Sequence, residues 1–135
     1  MKRFLFNWGP VLLLAFAIYL NTAIPHEISL PSLWDKVVHF LVFLLLGFLT
    51  TRALLLSGDY QRSTGVFLGS LLVMAWGILD EFHQSFVPGR HASWGDGVAN
   101  GLGAIAGALL FTYLGVLLYK SHKLYPPKPN ACRPG

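Results

Sequence analysis

Four long apolar blocks separated by short polar joints run along this chain, at about 8–24, 35–56, 63–86 and 96–119. Charged residues collect at the ends of the blocks, so no block shows the charged face that a helix of a soluble bundle turns to water. An α-helix rises about 1.5 Å per residue and the hydrocarbon core of a bilayer is about 30 Å thick. Each of the last three blocks therefore supplies one crossing, and the first does so with its flanks. Helix breakers fill the joints: Pro25 and Pro31, then Gly58 with Asp59, then Pro88 with Gly89. After Tyr125 the run Pro126-Pro127-Lys128-Pro129 ends the helical pattern. The reading is an all-α fold, an integral membrane four-helix bundle over residues 1–125, with a disordered cytoplasmic tail at 126–135.

Composition agrees with the pattern. The 135 residues are 54% apolar and 12% charged, against about a quarter charged in soluble domains. The net charge of +4 is spread along the chain by membrane side instead of gathering in one patch, so nucleic acid is not the expected partner. The bilayer is. Cys132, the single cysteine, has no partner for an intramolecular disulfide. Lys2 and Arg3 precede the first block as the basic region of a signal peptide does, but the block exceeds the usual apolar run of about 7 to 15 residues. Asn21-Thr22-Ala23 is also a poor cleavage site, so a retained first helix is expected.

Basic residues orient the bundle. With a cytoplasmic N-terminus the inner side holds Lys2, Arg3, Arg52, Arg62, Lys120, Lys123, Lys128 and Arg133, and the outer side only Lys36 and Arg90. Positive charge favours the inner side, so both termini are expected in the cytoplasm and the protein is expected as a multi-pass component of the cytoplasmic membrane. Trp34 and Trp94 precede the second and fourth blocks as interface anchors would. The fourth block carries two Gly-x-x-x-Gly spacings, Gly97 to Gly101 and Gly103 to Gly107, which let helix backbones approach closely. Internal packing is their expected use.

This topology sorts the ionisable residues. Glu27, Asp35, Asp80, Glu81 and Asp96 fall on the outer side with His26, His39, His83 and His91, whereas Asp59 and His122 stay inside. Polar groups in or near a bilayer are costly and mark a functional site by default. Asp35 and Asp96 also have a structural reading, because Ser32-x-x-Asp35 and Ser93-x-x-Asp96 match capping boxes at helix starts. His39 and Asn100 follow them by four residues, on the same helix faces. Each is also explained by a hydrogen bond to a neighbouring helix. Asp80 and Glu81 approach the negative end of the third helix, where a carboxylate costs about 0.3 to 1 kcal/mol, so something must compensate them. Gln84 extends their face. Arg90 offers a planar fork to Glu81, to Asp96 or to an anionic headgroup, and Lys36 either joins it or snorkels to the interface.

Asp35-Lys36-x-x-His39, Asp80-Glu81-x-x-Gln84, and Pro88-Gly89-Arg90 followed by Ser93-x-x-Asp96-x-x-x-Asn100-Gly101-x-Gly103 together resemble the VanZ-like membrane protein family. These elements reach from Trp34 to about Gly107. The resemblance implies a small helical membrane domain. For the family's namesake it implies an involvement in resistance to teicoplanin, a glycopeptide acting on the outer face of the envelope. No established reaction comes with it. It marks Asp35, Lys36, His39, Glu81, Gln84, Arg90, Asp96 and Asn100 as motif positions; His83 and His91 lie outside the pattern.

The leading functional expectation is an outer polar pocket that binds a cell-envelope lipid headgroup or a lipid-linked glycan and thereby affects glycopeptide susceptibility. An excess of acids over fixed cations on the outer side counts against an anionic ligand. The alternative is an enzyme acting on a lipid-linked substrate, with His39, Glu81 and Asp96 as candidate acid-base residues. A metal held by His39, Glu81 and Asp96, with His83 or His91, is the third reading. No His-x-x-x-His or cysteine pair supports it, so no metal site and no cofactor is assigned. A transporter is disfavoured, since four short spans leave little room for a gated path. Oligomeric state is not read from the sequence.

Overall fold

The computed structural model describes residues 2–24, 32–88 and 93–124. They form four α-helices in chain order: α1 (Lys2–Ala23), α2 (Ser32–Ser57), α3 (Arg62–Gln84) and α4 (Trp94–Leu124). All four are long and apolar enough to cross a membrane. The first joint at 25–31, residues 89–92 of the third and the tail at 125–135 lie outside the described residues.

The helices outrun the apolar blocks at most ends. α1 begins at Lys2, because Asn7, polar in sequence, is buried and donates through Nδ2 to Ser57 Oγ at 3.0 Å on α2. Pro10 sits inside this helix, where its ring removes one backbone donor without ending it. α2 starts three residues ahead of Asp35, which places that carboxylate within the first turn, and α4 continues to Leu124. α3 stops at Gln84, two residues short of the expected end, and a turn follows.

Burial is arranged as a bilayer requires. Leu13, Phe6, Phe67, Ile78 and Leu118 are exposed, whereas Asn7, Thr22, Thr51, Asp80, Gln84 and Asn100 are buried. A soluble protein would not leave so much large apolar surface bare; in lipid it is the contact surface. Phe43, Leu46, Ala53, Val73 and Ala104 form the centre of the packed interior.

α2 and α4 make the closest contact of the bundle, and glycine permits it. A Cβ on Gly103 would run into the Phe40 carbonyl oxygen, one on Gly107 into that of Leu44, and one on Gly47 into that of Ala104. Ala104 and Ala108 are fully buried in the same seam. The second Gly-x-x-x-Gly spacing therefore does pack internally. The first does not take part in the seam: nothing lies within 4 Å of a Cβ on Gly97, and only Met74 Cε, at 3.8 Å, lies near one on Gly101. α3 packs on both α2 and α4, and α1 lies to one side against α2 and α3.

Candidate ligand site at one end of the bundle

The seam brings the heads of α2 and α4 together beside the foot of α3. Asp35, Lys36 and His39 come from the first two turns of α2, Glu81 from the last turn of α3, and Asp96 and Asn100 from the first two turns of α4. The carboxylates of Asp35 and Asp96 complement the positive ends of their helices. Trp34 and Trp94, 63% and 95% exposed, flank the cluster at the level where amphipathic rings anchor a helix.

Ser93 caps α4 and separates the two acids expected to behave alike. Its Oγ accepts from the Gly95 backbone N–H at 3.2 Å, and its carbonyl oxygen accepts from those of Asp96 and Gly97, each at 3.1 Å. Its own backbone N–H donates to Glu81 Oε2 at 3.1 Å. In a capping box that donor would go to the residue at the position of Asp96. Glu81 from α3 takes it, and Asp96 is left to meet Lys36 Nζ at 3.5 Å. Asp96 is thus a cluster residue rather than half of a capping box. The Ser32 side chain, the expected cap of α2, lies outside the described residues.

His39 is the centre of the group. Its Nδ1 lies 3.0 Å from Asn100 Oδ1 and 3.9 Å from Glu81 Oε1, and its Nε2 lies 4.0 Å from Asp35 Oδ1. Asn100 is 2% exposed. It reaches His39 past Gly77, where a Cβ would stand 2.9 Å from Phe43 Cε1 and 3.2 Å from Asn100 Cβ. Glu81 Oε1, Asp96 Oδ1 and Asn100 Nδ2 are buried with no hydrogen-bond partner. Buried polar atoms in this condition are uncommon and call for an explanation.

Asp80 and Gln84 face elsewhere. Thr22 Oγ1 on α1 donates to Asp80 Oδ1, and Gln84 Nε2 donates to Asp80 Oδ2, both at 2.8 Å. The compensation that Asp80 needed at a helix C-terminus is this pair of donors, so Asp80 ties α1 to α3. Thr22 was not among the residues expected from sequence, although a lone hydroxyl near the end of an apolar block is a signal that could have been used. His83 packs its ring on Tyr19, with centroids 4.9 Å apart. Arg90, His91, His26 and Glu27 lie outside the described residues.

The arrangement provides an ammonium, an imidazole, an amide and three carboxylates around one point, with several hydrogen-bonding atoms unused. Such a group can hold a polar headgroup, move a proton or bind a cation. Comparison with curated proteins and with solved structures yields no match. The sequence profile of the VanZ/LLP1 family matches residues 3–119, a range that includes α2, α3, most of α1 and α4, and every residue of the cluster. The chain belongs to the VanZ/LLP1 family.

Proposed function

We propose that the cluster at the heads of α2 and α4 binds the phosphate-bearing headgroup of a cell-envelope lipid or lipid-linked glycan at the outer leaflet. The observation that carries this reading is a set of buried polar atoms without a hydrogen bond: Asn100 Nδ2, a donor for a phosphate oxygen, and Glu81 Oε1 and Asp96 Oδ1, acceptors for a hydroxyl of the headgroup. Buried polar groups without partners cost free energy, and a ligand that pairs with them recovers it. Lys36 and, on the sequence alone, Arg90 are the cations for the phosphate; Asn100 is the donor for its neighbours, while Gln84, expected from sequence beside it, is turned to Asp80. With both termini cytoplasmic, the site opens outside, where glycopeptides act. Altered teicoplanin susceptibility is the expected cellular consequence.

Titration of delipidated protein in detergent with a polyprenyl phosphate tests the reading. A ligand that binds only the folded state at about 100 times its Kd adds about 2.7 kcal/mol, so a saturable rise in melting temperature is expected. Diacylglycerol, which lacks the phosphate, is expected to give none, and Lys36→Ala or Arg90→Ala to weaken the response. Equal responses to both lipids would refute headgroup binding.

One contact favours a second reading, acid-base catalysis on the same lipid. His39 Nδ1 sits between Asn100 Oδ1 and Glu81 Oε1, a position from which an imidazole can be oriented and can exchange a proton. Release of phosphate from a lipid-linked substrate by wild type, lost in His39→Ala and Glu81→Gln, would establish it. Turnover retained in both variants would exclude these roles.

A further inference from the structure

We infer that Asp35, His39 and Asp96 form a site for a divalent ion of the first transition row, through which the headgroup phosphate is held. One donor atom from each side chain lies within 4.8 Å of the others. Donors about 2.1 Å from one ion stand about 3.0 Å apart at right angles and about 4.2 Å apart when opposed. The widest pair, at no more than 4.8 Å, closes by up to about 0.6 Å if its donors are opposed across the ion and by more at smaller angles. Asp35, whose side chain is 41% exposed at the rim of the group, has the freedom to do this.

The hydrogen bonding of His39 points to the same ion independently. Asn100 Oδ1 can only accept, so at 3.0 Å it takes the proton of His39 Nδ1, and in the neutral imidazole, the form that binds a metal, the lone pair is then on Nε2. Nε2 then faces Asp35 Oδ1 at 4.0 Å. This is too long for a hydrogen bond, and a cation between them satisfies both the Nε2 lone pair of the neutral ring and the carboxylate. Metal-bound imidazoles are held in this way, with the second ring nitrogen donating to a carbonyl or carboxylate oxygen. Glu81 Oε1, 3.9 Å from the same Nδ1, adds a carboxylate behind the ring. Asp96 is 6% exposed, and its Oδ1 has no hydrogen bond, only the ion pair with Lys36.

A bound cation also removes the obstacle to an anionic ligand. Among the described residues of this end, Asp35, Asp80, Glu81 and Asp96 stand against Lys36. A divalent ion shared by Asp35 and Asp96 offsets their charge, and three protein donors leave coordination positions for phosphate oxygens. Two carboxylates with one imidazole suit Mn²⁺ or Zn²⁺ better than Ca²⁺, which takes six to eight oxygens. The ion site stands on its own geometry; its bridging role rests on the headgroup reading above.

The test uses full-length protein purified without a His-tag, stripped with EDTA and titrated with Mn²⁺ in detergent, free Mn²⁺ being followed by electron paramagnetic resonance. One ion per chain is expected. His39→Ala and Asp96→Asn are expected to weaken binding about tenfold or more, while the melting temperature of the metal-free protein shows that each variant is folded. Asp35→Asn, at the exposed rim, replaces either one that is not. Lys36→Gln removes the competing ammonium and is expected to bind at least as tightly as wild type. Absence of binding by wild type, or equal binding by the three ligand variants, overturns the site. Polyprenyl phosphate is then titrated with and without Mn²⁺. Lipid binding that needs Mn²⁺ supports the bridge; lipid binding indifferent to EDTA overturns the bridge and leaves the headgroup reading standing. Mn²⁺ binding with no lipid response keeps the site and sinks that reading.

Discussion

Two neighbouring carboxylates on α3 have different partners, and this separates scaffold from site residue by residue. Asp80 receives donors from Thr22 and Gln84 at 2.8 Å, while Glu81 accepts from the Ser93 backbone and leaves Oε1 unused. Thr22→Val is therefore expected to lower stability by about 1.5 to 3 kcal/mol, the range for losing a hydrogen bond to a buried charged group. Thermal unfolding in detergent measures it, and lipid or metal binding by the folded fraction is expected to be unaffected. A stable Thr22→Val variant would show that Asp80 has another compensation. The sequence placed Asp80 and Glu81 together because they are adjacent, yet adjacent helical residues point about 100° apart. Their division between α1 and the cluster depends on how α3 is rotated, which side-chain identity does not record. The same limit applies to Asp96. Ser93-x-x-Asp96 reads as a capping box in isolation, and only the proximity of Glu81 shows that the donor goes to another helix.

At the scale of elements, the α2–α4 seam fixes the site, since it sets the depth at which Asp35, His39, Asp96 and Asn100 meet. Gly107 lies where a Cβ would collide with the Leu44 backbone. A side chain there has no room, and backbone cannot give way as a flexible side chain can, so Gly107→Ala is expected to cost about 1 to 3 kcal/mol. It should also impair ligand binding at the far end of the same helix pair. Gly115 has nothing within 4 Å, and Gly115→Ala is expected to stay within about 1 kcal/mol of wild type, on the stabilising side. Parallel thermal melts of the two variants give the comparison; a similar loss in both would mean that the seam is not the constraint. The four helices themselves were legible, because a bilayer demands long apolar runs and tolerates few others. Their ends were less so. Asn7 stands ahead of the first apolar block, yet it is buried against Ser57 inside α1. Of two identical glycine spacings on α4, only packing shows that Gly103 and Gly107 form the seam and Gly97 does not.

For the whole molecule, an apolar exterior suited to lipid surrounds a polar, histidine-bearing cluster at one end, and the expected orientation makes that end the outer one. The side assignment comes from Lys and Arg placement, and the chain offers a direct test, because Cys132 is its only cysteine. In intact cells a membrane-impermeant maleimide is expected to leave Cys132 unlabelled until the membrane is permeabilised. In a Cys132→Ser background, Ser85→Cys, just past the foot of α3, is expected to label from outside. Labelling of Cys132 in intact cells would invert the topology and place the cluster in the cytoplasm. A ligand site on α2, α3 and α4 and a scaffold of Thr22, Asp80 and Gln84 respond differently to substitution. Native mass spectrometry of protein released straight from its membrane separates the two, with wild type, His39→Ala and Thr22→Val compared under one condition. A phosphate-bearing lipid retained by wild type and by the folded fraction of Thr22→Val, and lost from His39→Ala, is the expected result. Lipid retained equally by all three, or by none, would contradict it.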